Sequence, residues 1–158
     1  MVTVENLKIF LIGFSGSGKT TIGPKLAQRL KLPYFDTDQI IERKAGKRIS
    51  DIFANSGEKT FRKLESEVIE RLCGDDTPPC VAALGGGAFE SARNRKMLLQ
   101  NGIVAYLSAS VRAIYRRTRD ESDRPLLEIR PRGNETPRQA RMMRIASLLD
   151  KRRPTYER

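Results

Sequence analysis

Residues 13–20, GFSGSGKT, sit between the apolar run KIFLIG (8–13) and the periodic stretch KTTIGPKLAQRLK (19–31). The first reads as a buried strand closed by glycine. The second reads as a helix with Ile22, Leu26 and Leu30 on one face and Pro24 in its early turns, where a lost donor is tolerated. A strand, a turn of G-x-x-x-x-G-K-[ST] form and a helix in that order permit few architectures. Gly13, Gly16 and Gly18 free the backbone to bring several N–H groups onto one anion, and the helix start behind them adds partial positive charge. Lys19 reaches the β- and γ-phosphates of a nucleoside triphosphate, and the Thr20 hydroxyl is a Mg²⁺ ligand in such a turn. The candidate nucleotide-binding set is Gly13, Ser15, Gly16, Ser17, Gly18, Lys19, Thr20 and Thr21. It names the phosphate donor and leaves the acceptor open.

The rest of the chain keeps alternating. PYFD (33–36) reads as a short strand and TDQIIERKAG (37–46) as a helix ending at Gly46. SDIFANSG (50–57) and EKTFRKLESEVIERLCG (58–74) read as a short and a longer helix, the latter with an apolar stripe of Phe61, Leu64, Val68 and Leu72. CVAALGG (80–86) and GIVAYLS (102–108) read as strands, followed by helices over 91–101 and up to about Arg119. This pattern predicts an α/β fold, a three-layer P-loop NTPase architecture with a central parallel sheet flanked by helices, as a single domain over 1–158. Residues 120–136 are rich in Arg, Pro and acids and lack apolar periodicity, so a mobile lid is expected there. Helical periodicity returns over 137–153 through Met142, Ile145, Leu148 and Leu149.

The net charge is +11, and +7 of it falls from Val111 onward. Such a field attracts polyanions, nucleotide phosphates among them, and equally suits a solvated basic surface. The sequence has no histidine. That removes His-dependent triads and His-ligated metals and leaves an oxygen-bound ion such as Mg²⁺. Cys73 and Cys80 form no CxxC and are expected as buried thiols. No apolar run is long enough to span a membrane, and MVTVENLKIFLIG lacks a cationic leader, so a cytoplasmic protein is expected.

FDTD places two carboxylates, Asp36 and Asp38, at the exit of the second strand, the sheet edge where α/β folds bind ligands. On an extended segment they project to the same side. Asp36 or Thr37 can cap the following helix. Alternatively one acid faces a metal and the other takes a proton from a substrate hydroxyl. Arg62 lies off the apolar stripe and can point into a cleft, where a guanidinium binds a carboxylate in bidentate fashion. Glu65, one turn on, can hold it, or the two can form an exposed ion pair of little consequence. LGGGAF (84–89) follows the third strand, and its three glycines imply close backbone approach or a plain turn.

Together GFSGSGKT, FDTD, ISDIFANSGEKTFRKLE, LGGGAF, DRPLL and KRRPTY resemble the shikimate kinase family, in that family's order and over nearly the whole chain. The resemblance implies transfer of the ATP γ-phosphate to the 3-hydroxyl of shikimate in aromatic amino-acid biosynthesis, with Mg²⁺ as cofactor. It implies that Asp36 reaches Mg²⁺ through water beside Thr20. Asp38 binds ring hydroxyls and acts as base. Arg62 and Arg152 grip the shikimate carboxylate with Gly85, Gly86 and Gly87 beside them. Arg124 swings over the phosphates as a lid arginine, Arg117 flanks adenine, and Lys19 completes the catalytic set with Asp38 and Arg124. The substrate-binding helical segment is expected over about 36–65.

Two departures stand out. Where the family often has Ser or Thr before the triple glycine, this sequence has Ala83, which loads any metal binding onto Thr20 and Asp36. The family also continues into a further strand, an adenine-side loop and a final helix after PTYER; either the sequence here is truncated or partly observed, or that part is absent. Rival readings are a small P-loop kinase for a sugar acid or nucleoside monophosphate, and a basic nucleic-acid-binding ATPase. The latter wants exposed aromatics among its Lys and Arg, whereas the ten aromatics fall mostly on expected buried faces. A regulatory GTPase is disfavoured because neither N-K-x-D nor D-x-x-G occurs. The expected partners are ATP and shikimate, without nucleic acid or membrane, for a monomer.

Overall fold

The computed structural model describes residues 7–120, 125–127, 131 and 133–157. Four strands, β1 (Lys8–Ile12), β2 (Tyr34–Asp36), β3 (Cys80–Ala83) and β4 (Ile103–Tyr106), form one parallel sheet in the order β2-β3-β1-β4. Between them run α1 (Lys19–Leu30), α2 (Thr37–Ala45), α3 (Ile49–Cys73) and α4 (Ala92–Asn101), and after β4 come α5 (Val111–Thr118) and α6 (Pro137–Tyr156). Asp36 lies opposite Ala83, and Ala83 opposite Leu11, so three strands end level at one edge. Binding residues gather at this C-terminal edge of a parallel sheet.

The two faces of β1 show why its run is apolar throughout. Phe10 and Ile12 enter a core with Ile41 of α2, Phe61, Val68 and Ile69 of α3 and Leu98 of α4. Leu11 and Ile9 point the other way, onto Ala27 and Leu26 of α1. Helices thus cover both faces, as strands buried on both sides require. A third cluster, Phe14, Ile114, Leu127, Ile145 and Leu149, ties α5 and α6 to the loop after β1.

Two local outcomes differ from the expectations, the buried face of α1 and the end of α6, while Pro24 falls in the early turns as expected. In α1 the shared face of Ile22, Leu26 and Leu30 is not the buried one. Ile22 and Leu30 are exposed, and Gly23 and Ala27 face the sheet. A Cβ on Gly23 would stand 2.3 Å from the Tyr34 ring, so close approach, not side-chain bulk, decides which face is inside. Pro24 sits six residues into α1, where it removes the donor to the exposed Thr20 carbonyl. α6 continues through Pro154 to Tyr156, past Arg153, because the Tyr156 ring is buried and stacks on Tyr106 at 5.0 Å. The expected break between 57 and 58 is present. Gly57 takes φ 78°, ψ 165° and kinks α3.

Candidate active site

The turn between β1 and α1 is held by left-handed glycines: Gly13 at φ 143°, Gly16 at 79° and Gly18 at 107°. A Cβ on Gly13 would meet the Leu107 carbonyl oxygen at 2.5 Å, and one on Gly16 the Thr118 methyl at 2.6 Å. The turn is therefore wedged between the exit of β4 and α5. Lys19 Nζ donates to the carbonyl oxygens of Gly13 (2.7 Å) and Phe14 (3.0 Å), which keeps its ammonium inside the loop. Arg117 Nη1 donates to the Gly16 carbonyl at 3.0 Å. Ser17 is buried behind the turn.

A cavity of about 740 Å³ opens over this loop. It is lined by Ser15, Lys19, Thr20, Thr21 and Arg117 around the turn, by the strand ends Asp36 and Ala83, and by Gln39, Glu42, Arg48 and Ile49. A smaller chamber of about 100 Å³ adjoins it, lined by Asp38, Arg62, Glu65, Gly85, Gly86, Gly87, Leu126, Leu127 and Arg152. Ser15, Asp38, Ile49 and Gly86 line both, so the two are halves of one cleft.

The two acids do not sit on one extended segment as expected. Asp36 ends β2, while Asp38 is already in the first turn of α2. The helix begins so early because Asp36 caps it: its Oδ1 accepts from the backbone N–H of Asp38 (3.0 Å) and Gln39 (3.3 Å). Its other oxygen, Oδ2, accepts from the Tyr34 hydroxyl at 3.4 Å. Burial and the neighbouring Asp36 and Asp38 charges push the Tyr34 pKa up, which keeps that hydroxyl a donor. Capping and a place in the large cavity thus coexist in Asp36. Asp38 alone of the two reaches both chambers.

Arg62 is held on both sides. Its Nη1 donates to Glu65 Oε2 at 2.9 Å, and Nε and Nη2 donate to Glu58 Oε1 at 3.2 and 3.1 Å. Glu65 is only 1% exposed, so the pair is not the exposed i, i+3 bridge that local sequence allows. Burial lifts the Glu65 pKa above its ordinary value against the pull of Arg62. Burial alone would lower that of Arg62, but Glu65 and Glu58 outweigh it and raise it. On α6, Arg152 Nη1 donates to the Gly86 carbonyl at 3.3 Å, and its Nε pairs with Glu90 Oε2 at 3.0 Å. Two guanidiniums are thus pre-aimed at one small chamber.

Each glycine of LGGG makes room for a different group. A Cβ on Gly85 would stand 2.7 Å from Glu65 Oε1 and 3.0 Å from Asp38 Oδ1. On Gly86 it would stand 3.0 Å from the Ser15 backbone nitrogen, and on Gly87 2.7 Å from two Arg62 nitrogens.

The sequence reading missed three contributors. Buried Thr37 accepts from the Gly85 N–H at 3.0 Å and ties α2 to the glycine run. Tyr156 donates from its hydroxyl to the Gly86 carbonyl, with its pKa pushed up to about 12, mainly by burial. Glu90 holds Arg152. FDTD and KRRPTY contain the first two, but their partners lie 48 and 70 residues away. Arg124 and much of the expected lid lie outside the described residues. Within 120–136, Pro125–Leu127 form a short 3₁₀ turn.

Among the described residues no group of three or more His, Cys, Asp or Glu could cage a metal. The oxygens of Thr20 and Asp36 in the large cavity suit a hard ion bound mainly through a substrate's phosphates, as Mg²⁺ is in nucleotide enzymes. Ala83 brings only a methyl group to the same cavity.

A family model described as shikimate kinase matches residues 15–158. A shikimate kinase of Chlorobium limicola is 45% identical over 148 residues, covering 94% of this chain and 73% of that protein. One of Salinibacter ruber is 42% identical over 152 residues, covering 96% and 73%. A solved shikimate kinase of Acinetobacter baumannii in complex with shikimate superposes with TM-score 0.87 at 38% identity, over 97% of this chain and 80% of that one. Family model, relatives and superposed fold agree over nearly all of the sequence: the chain belongs to the shikimate kinase family.

Proposed function

We propose that this chain phosphorylates the 3-hydroxyl of shikimate with ATP, and that the roles divide along the two chambers. One observation carries the reading: Asp38 lines the cavity over Lys19 and also the chamber of Arg62 and Arg152. A carboxylate at that junction stands where an acceptor hydroxyl must meet a γ-phosphate.

In this reading Gly13, Ser15, Gly16, Ser17, Gly18, Lys19, Thr20 and Thr21 cradle the triphosphate, and Arg117 flanks adenine. Arg62 and Arg152 hold the shikimate carboxylate against Gly85, Gly86 and Gly87, which orients the ring before reaction. The 3-hydroxyl oxygen forms the bond to the γ-phosphorus as the bond from that phosphorus to the β–γ bridging oxygen breaks. The hydroxyl proton passes to Asp38, and ADP leaves. Lys19, with Arg124 from the lid, balances charge on the transferred group. Thr20 and Asp36 would hold Mg²⁺, which when bound neutralises β- and γ-phosphate oxygens.

All these residues come from one chain, so in this reading a single copy carries the whole site. None of the ten aromatics is exposed, which supports a small-molecule acceptor over nucleic acid. No described helix is long and apolar enough to cross a membrane. Use of ATP supports a cytoplasmic setting.

A coupled ADP-release assay with and without shikimate, with gluconate as a rival acceptor, tests the reading. Shikimate is expected to stimulate release strongly, and Asp38→Asn to abolish that stimulation while ATP still binds. Stimulation by gluconate alone, or near-normal turnover of the variant, would refute it.

A further inference from the structure

Three arginines on one stripe of α6 each donate to a main-chain carbonyl of a different neighbour. Arg141 reaches the Thr118 and Arg119 carbonyls at the end of α5, and Arg152 the Gly86 carbonyl. Between them Arg144 Nε donates to the Leu126 carbonyl at 3.1 Å. Arg152 belongs to the substrate chamber, and Arg141 fastens α5. Arg144 has no part in the reading so far.

Its partner makes it informative. Leu126 and Leu127 line the small chamber together with Arg62 and Asp38. Leu127 is 2% exposed, packed with Phe14, Ile114, Ile145 and Leu149. The 3₁₀ turn Pro125–Leu127 is therefore pinned twice, by a leucine side chain in the core and by a guanidinium on its backbone. The first pin fixes Leu127. The second fixes the peptide of Leu126, a residue that lines the chamber. An arginine on a carbonyl is a charge-assisted bond, stronger than a neutral one, and here it is half-buried.

We propose that Arg144 is a positioning residue for shikimate binding: it latches the Leu126 backbone so that the turn Pro125–Leu127 roofs the acceptor chamber, while the nucleotide cavity does not depend on it. The inference rests on the acceptor assignment above, and unmodified enzyme tests that separately: if it fails to bind shikimate, the assignment itself falls.

The experiment measures shikimate and ADP affinity by calorimetry, and both Michaelis constants, for Arg144→Met, Arg144→Lys, Leu126→Ala and the double variant Arg144→Met/Leu126→Ala. Arg144→Met is expected to weaken shikimate about tenfold, the loss of one charge-assisted bond, with ADP within twofold. Arg144→Lys keeps a cationic donor and should recover about half of the logarithmic loss. The double variant should be little weaker than Leu126→Ala alone, because both act through one turn. Equal losses for both ligands, no loss for shikimate, or additive effects in the double variant would overturn the proposal. If Arg144→Met does not fold, the same cycle run with Arg144→Lys decides: non-additivity with Leu126→Ala upholds the proposal, additivity refutes it.

Discussion

Glu65→Gln asks how much of acceptor binding depends on holding Arg62 still. The substitution keeps shape and removes charge. Glu65 Oε2 accepts from Arg62 Nη1 at 2.9 Å, while Oε1 is buried with no hydrogen-bond partner among the described residues and faces Gly85. A glutamine must therefore choose. Either its NH₂ faces Arg62 and the bond is lost, or its oxygen keeps Arg62 and the NH₂ is buried where Oε1 has no hydrogen-bond partner among the described residues. Each outcome costs about 1.5–3 kcal/mol, the worth of a charged hydrogen bond or of an orphaned buried group. Arg62 retains Glu58, but that carboxylate is half exposed and draws the guanidinium outward. If the cost appears in acceptor binding, shikimate affinity falls about 10- to 100-fold. ADP affinity should stay within twofold, because Lys19 is held by its own loop. Separate calorimetric titrations with shikimate and ADP measure this. Shikimate affinity within twofold of the unmodified enzyme, with the fold intact, would refute the reasoning. A pH signature accompanies it. Burial raises the folded pKa of Glu65 above its ordinary 4.5, although Arg62 opposes the shift. Between the two values the native state holds more protons than the unfolded one, so this group's contribution to stability is lost as pH rises through the interval. Glutamine does not titrate, so the melting temperature of the variant minus that of the native enzyme should climb from about pH 4.5 upward. A flat difference would place Glu65 in a less buried setting.

Gly16→Ala combines a left-handed φ of 79° with a Cβ 2.6 Å from the Thr118 methyl. It should cost about 2–4 kcal/mol in urea unfolding and weaken ADP binding at least tenfold; native stability would show that the turn can shift off α5. Gly23→Ala has no conformational penalty of that kind but drives a methyl into the Tyr34 ring at 2.3 Å. It should cost about 1–3 kcal/mol, and Tyr34→Leu in the same chain should restore most of it; no recovery would place the strain elsewhere.

Those two glycines also mark where sequence pattern stops being informative. Periodicity shows which residues of α1 share a face. It does not show that the face pressed on the sheet is the one with least side chain, because that depends on how near β2 comes. Element order, the parallel sheet and the phosphate turn were legible because each rests on local contacts: a buried strand is apolar, and a tight anion cradle needs glycine. Arg62 with Glu65 was legible as a pair, one turn apart, but the burial of Glu65 was not, since it depends on neighbours distant in sequence such as Gly85. The acids of FDTD posed a choice between helix cap and ligand that the fold does not force, because Asp36 caps with one oxygen and has a second. The run LGGG shows the limit most clearly. Three glycines announce close approach, but the groups that approach are Glu65 and Asp38 at the first, the phosphate loop at the second and Arg62 at the third. They come from α2, α3 and the loop after β1, so the reason for each glycine exists only once those elements have assembled. A methyl at any one of them would disturb a different part of the same cleft. Single alanine substitutions along 85–87 should therefore separate base, loop and carboxylate grip, where a plain flexible turn would give three equal and small effects.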